Sequence, residues 1–173
     1  MPSASQVLRV VFLLTAISAL SACVYQPLYG SNSYAPEASQ TLSRIRVADV
    51  DTRVGQQVRN RLIFLLQGGR GAMDTTYELR LRVNDNAKLQ AAAQDVSANT
   101  AGVVFVIVSY DLVDLSSHTR IASGSRRASA SYDRTGQSFA NERALRDAQN
   151  RAAAEVAEHL RLALAADLAN LNR

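Results

Sequence analysis

From Tyr77 to Val83 apolar and charged positions alternate without a break, Tyr77, Leu79, Leu81 and Val83 against Glu78, Arg80 and Arg82. A period of two sends the first set to a core and the second to the opposite face of a strand. Upstream, Val54, Val58, Leu62, Leu65 and Leu66 recur at helical spacing with Gln57, Arg59, Asn60 and Arg61 mostly elsewhere, which predicts an amphipathic helix. The polar run from Asp49 to Arg53 suits its start, and Gly68, Gly69 and Gly71 suit its end. Before it, Ile45, Val47 and Val50 predict a short strand. After the alternating strand, residues 84–100 carry the chain outward and turn, with Asn84-Asp85-Asn86 and Asn99 as turn-forming residues. Gly102 to Leu115 is apolar on both faces, as in a central strand. Ile121 to Tyr132 alternates more weakly, as a fourth. Beyond Gly136 a single stripe of Leu145, Ala148, Ala152, Val156, Leu160, Leu164 and Leu168 predicts one long helix. The order β-α-β-β-β-α belongs to the α+β class: a two-layer α/β sandwich whose four-stranded sheet carries both helices on one face.

The N-terminus has a different logic. A short polar stretch ending in Arg9 leads into the apolar segment Val10 to Leu20, then Ser21, Ala22 and Cys23. This is the three-part layout of a secretory signal, and its apolar segment is too short for a membrane-spanning helix, which needs about 20 residues. Leu20-Ser21-Ala22-Cys23 resembles the lipobox of bacterial lipoproteins. That resemblance implies cleavage between Ala22 and Cys23, a thioether-linked diacylglycerol on the Cys23 sulfur, and a third acyl chain on the new amino terminus. Several chains together anchor a protein firmly where one is marginal. The expected organisation is a signal peptide over residues 1–22, a lipidated tether rich in Ser, Ala, Pro and Tyr over 23–42, and a single domain over 43–173.

Cys23 is the only cysteine, so a mature chain with that sulfur acylated has no disulfide and no free thiol. The formal charge of +4 falls by one when Arg9 leaves, and Lys88 is the sole lysine among the basic residues. In a cytosolic protein this basicity would suggest nucleic acid. Export argues against nucleic acid and directs the arginine forks to anions of the envelope, above all lipopolysaccharide. Catalytic chemistry is sparse: His118 falls in a polar turn and His159 on the long helix, and no zinc, nucleophile-elbow or phosphate-loop pattern occurs. Gly68-Gly69-Arg70-Gly71 follows a helix, whereas a phosphate loop precedes one. The residues point to a binding or assembly protein, with no enzyme activity, cofactor or metal expected.

The lipobox, the segment Cys23-Val24-Tyr25-Gln26-Pro27-Leu28-Tyr29-Gly30 and the element order together resemble the LPS-assembly lipoprotein (LptE) family. Arg53-Val54-Gly55-Gln56-Gln57-Val58-Arg59-Asn60 and, in the last helix, Asp147-Ala148 with Arg151-Ala152 are similar to alphaproteobacterial members. The resemblance implies outer-membrane localisation on the periplasmic side. It also implies a plug role inside the LptD-type β-barrel translocon, assistance in that barrel's assembly, and contact with lipopolysaccharide in transit. Expected lipopolysaccharide contacts are Lys88, in the connection between the second and third strands, and Arg126 with Arg127 on the fourth. A secretin pilotin, an accessory subunit of a lipid transporter, or a periplasmic hydrolase relying on His118 or His159 are the competing readings.

Overall fold

The computed structural model describes residues 36–69, 74–89 and 101–171. Its elements are α1 (Pro36–Ser43), β1 (Ile45–Val47), α2 (Arg53–Gln67), β2 (Tyr77–Leu89), β3 (Ala101–Asp114), β4 (Arg120–Asp133) and α3 (Ser138–Leu171). The four strands pair in chain order, β1-β2-β3-β4. β1 runs parallel to β2, and the other two pairs are antiparallel. A parallel pair needs a crossover, which α2 provides, and the predicted two-layer sandwich with helices on one face is the observed architecture.

Each end of α2 is closed by the residue its sequence offers. Thr52 stays extended while its hydroxyl accepts from the Gly55 N–H at 3.0 Å, which satisfies one orphan donor of the first turn. Gly68 adopts the left-handed conformation, φ 60°, and its N–H donates to the Phe64 carbonyl at 2.8 Å. The side-chain amide of Gln67, buried just before this cap, donates to the Ile45 carbonyl at 3.0 Å and ties β1 to the helix.

The core lies between the sheet and the helices. Leu79 and Leu81 of β2, Val104, Val106, Val108, Tyr110 and Leu112 of β3, and Ala128, Ala130 and Tyr132 of β4 face it. They meet Val54, Val58, Leu62 and Leu66 of α2, and the Ala148, Ala152, Val156, Leu160, Leu164, Leu168 stripe of α3. Ala153, Ala157 and Ala163 widen that stripe, so α3 lies close over the strands. At 34 residues it is about 51 Å long.

Two sequence expectations are corrected. Residues 36–42, assigned to the tether, begin the fold as α1, whose Leu42 is buried in the core. Pro36 at the first helical position is compatible with this start because its missing N–H is one the helix cannot pair anyway. Asn84-Asp85-Asn86, expected to turn, continue β2 in register with Ile107, Val106 and Phe105. Pairing to β3 along the whole strand overrides their local turn preference. Asn99 lies outside the described residues.

Candidate anion-binding face of the sheet

The face of the sheet turned away from the helices carries the charged half of the alternation. Glu78, Arg80 and Arg82 of β2 point there because Leu79 and Leu81 occupy the core. The antiparallel register sets Arg80 opposite Asp111 of β3. Parallel pairing sets Arg46 of β1 beside Glu78. An irregularity at Leu112/Val113 brings Arg120, at the start of β4, opposite Val113, from where it reaches Asp111.

These residues form two units of one design. Glu78 accepts from Arg46 on one oxygen and from Arg80 Nε at 2.8 Å on the other. Asp111 accepts from Arg82 at 3.0 Å and from Arg120 at 3.4 Å. The carboxylates sit low, with side chains 12% and 16% exposed, under arginines that are 57–73% exposed. The Arg80 hydrogen bond, followed by that from Arg46, holds the Glu78 carboxyl below its ordinary range. Exposed ion pairs of this kind add little stability. What they do is hold four guanidinium groups that remain largely exposed beside two shared carboxylates. A planar fork with five donors suits phosphate or carboxylate oxygens, so the face can hold anions.

Farther along the same face, Val103, Phe105 and Ile107 of β3 are half-buried. The Arg127 guanidinium lies 5.7 Å from the Phe105 ring centre, within cation–π range. Arg126 points the other way, toward the helix layer. It is half-buried, donates to the Ser125 carbonyl at 2.7 Å, and its charge acts on Tyr110. Neighbours on a strand project to opposite faces, so Arg126 and Arg127 do not make one patch. Tyr110 donates to Asp167 of α3 at 2.7 Å, and burial first, then this bond, raises its phenol to about 12.

Lys88 lies within β2, opposite Val103, rather than in a connection, and its side chain is outside the described residues. Ala22 and Cys23 are outside them too. His118 sits exposed in the β3–β4 turn with φ 56°, and His159 is half-buried on α3. Among the described residues no three His, Cys, Asp or Glu side chains come together as a metal site, and no helix is long and apolar enough to cross a membrane. Sequence reasoning placed Arg80 and Arg82 on a charged face but did not single out the cluster. Arg46 and Arg120 join it only through strand pairing, which leaves no local signal.

No protein-family model matches the chain, and no curated protein sequence matches it. Solved structures do. A candidate lipoprotein from Caulobacter crescentus CB15 is 31% identical, with 77% of this chain and 96% of that one covered and a TM-score of 0.64. A minor lipoprotein from Acinetobacter baumannii is 13% identical, covering 71% and 89%, with a TM-score of 0.53. Rare lipoprotein B from Shewanella oneidensis is 14% identical, covering 75% and 97%, with a TM-score of 0.52. The last two establish a shared fold alone.

Proposed function

Because the chain belongs to the same family as the Caulobacter crescentus lipoprotein, we propose that it is an outer-membrane lipoprotein of the LPS-assembly (LptE) type. In this reading it is anchored through Cys23, plugs the LptD-type translocon barrel, assists the barrel's assembly and contacts lipopolysaccharide in transit. The observation that supports the lipoprotein part of the reading is the 31% identity over nearly the whole length of that lipoprotein, while the LPS-assembly type rests on the resemblance of the Cys23–Gly30 segment and the element order. That identity joins the lipobox at Leu20 to Cys23 in this chain. The role requires no covalent step. A folded plug needs a rigid core and an exterior of mixed polarity to face a polar barrel lumen, and the two ion-paired arginine units match that need.

Of the contacts expected for lipopolysaccharide, Arg127 lies on the open face with Phe105 beside it, whereas Arg126 faces the helix layer. Charge reversal at each position separately therefore distinguishes them: Arg127→Glu weakens lipopolysaccharide binding more than Arg126→Glu.

The test of the main reading is a pull-down of tagged mature protein, expressed at native level, from detergent-solubilised outer membrane. A large β-barrel recovered in one-to-one ratio is the expected result. Recovery with a secretin, with a lipid-transporter subunit, or with no stoichiometric partner overturns the translocon assignment.

A further inference from the structure

β4 lies at the end of the strand order, so among the described residues no strand pairs with its outer side. It is 14 residues long and contains no proline and no lysine. Ser123, Ser125, Ser129 and Ser131 are exposed on its open face, and Ala128 and Ala130 are buried on its core face. These small side chains leave a second strand room to approach. An edge of this kind is a template for pairing with another chain unless something covers it. The register shows which backbone groups the edge presents. Just past β3 the Leu115 N–H donates to the Thr76 carbonyl at 3.0 Å, so the odd-numbered residues of β3 turn their backbone groups toward β2. Ser125, Arg127, Ser129 and Ser131 of β4 lie opposite Ser109, Ile107, Phe105 and Val103 and therefore turn theirs to the free side.

Two of these carbonyls are taken by arginines. Arg126 Nη1 donates to the Ser125 carbonyl at 2.7 Å. Arg151 Nη2 reaches from α3 to the Ser131 carbonyl at 2.8 Å, while its Nε donates to Asp147 at 2.8 Å and is steadied there. The pair brackets Arg127 and Ser129. Arg126 is half-buried on the helix side of the strand, and an inward charge is one of the ways a strand edge is kept from pairing. We propose that Arg126 and Arg151 guard this edge, stopping β4 from pairing with β4 of a second copy of the chain. Edge-to-edge pairing would pull both guanidinium groups of each copy off their carbonyls and crowd like charges beside the new ladder. That cost falls on the paired state alone, because in a single copy both carbonyls have a charged donor. The guard goes beyond the translocon reading and is compatible with it: a plug that meets its barrel one to one must stay single until it arrives.

The experiment uses the full chain purified from membranes in detergent, with one new cysteine either at Ser129→Cys on the edge or at Glu155→Cys, exposed on α3. Two copies paired antiparallel about residue 129 bring its two Cα atoms to about 5.5 Å, within reach of a short bis-maleimide. The same chain without a new cysteine sets the background, so any crosslinking through Cys23 is subtracted. With both arginines present, little dimer is expected at position 129. Arg126→Ala with Arg151→Ala is expected to raise it on the order of tenfold or more, the scale of one lost charge-assisted hydrogen bond, and to leave position 155 unchanged. Circular dichroism and urea midpoints check that the variant is folded. Should the alanines loosen the fold, Arg126→Gln with Arg151→Gln decides, because glutamine keeps most of the stem but is uncharged and too short to reach the carbonyls. No rise at 129 in a folded variant overturns the guard. A rise at 155 equal to that at 129 marks association without the edge and overturns it too, as does strong crosslinking at 129 with both arginines in place. None of these outcomes bears on the barrel pull-down, so the two readings fail separately.

Discussion

Gly102 faces Tyr132 across the β3–β4 pair, and Gly124 faces Tyr110. At both places the tyrosine ring lies over the glycine, in the space that a Cβ would fill. The pairing lets a large aromatic lie flat along the sheet under α3, where a side chain on the partner would push it off. Tyr110 uses the position to reach Asp167, so its hydroxyl is not buried without a partner. An alanine at position 124 would place its Cβ 2.8 Å from the Tyr110 hydroxyl. Gly124→Ala is therefore expected to lower stability by about 1–3 kcal/mol, the usual cost of forcing atoms into a filled site. Urea unfolding of the variant and of Tyr110→Phe/Gly124→Ala tests this. The double variant should show a smaller penalty than the sum of its single changes, because the clashing hydroxyl is gone.

The β3–β4 connection shows how a polar turn is built from one carboxylate. Asp114 accepts on one oxygen from the Ser116 hydroxyl at 2.5 Å, the Ser116 N–H at 2.8 Å and the Ser117 N–H at 3.0 Å. The Ser116 hydroxyl, then the backbone donors, hold its carboxyl down at about 2. The ionised form is thus favoured in the folded chain. Its contribution is complete above the unfolded value of 3.8 and is lost as pH falls through about 2. Urea midpoints at pH 4 and pH 2 should differ more in the wild type than in Asp114→Asn, whose neutral amide does not titrate. An unchanged gap would show that the turn does not depend on the charge. The elements themselves were largely readable: periods of two and near four mark β2, α2 and α3 because each buries one face against one layer. β4 was weaker because Ala and Ser dominate it and packing under α3 needs small residues. α1 escaped detection because a helix of only eight residues leaves little periodic signal; among its described side chains Leu42 is the one in the core.

At the scale of the whole molecule, the membrane attachment proposed above rests on Cys23, far in sequence from the sheet. If the lipobox is processed as its residues imply, Cys23→Ala blocks both acylation and cleavage. Labelled palmitate should enter the wild type and not the variant, and the variant should run at the length of the uncut chain. Equal labelling of the two would exclude Cys23 as the lipid site. The fold does not depend on this lipid for its core, which closes between the sheet and α2 and α3 within residues 42–168.

What the sequence determined by itself was local: which segments alternate, which repeat at helical spacing, and where the glycines stop α2. These follow from the geometry of one strand or helix and its single buried face, so the order β-α-β-β-β-α and the two-layer sandwich could be derived from them. Tertiary structure decided which charges share a surface. Arg126 and Arg127 are adjacent in the chain and lie on opposite faces, because a strand alternates. Arg46, Arg80, Arg82 and Arg120 span 74 positions of the chain and form one cluster, because parallel pairing, antiparallel register and the irregularity at Leu112/Val113 bring them over two shared carboxylates. Register is set by long-range hydrogen bonding and core packing together, and no single segment carries that information.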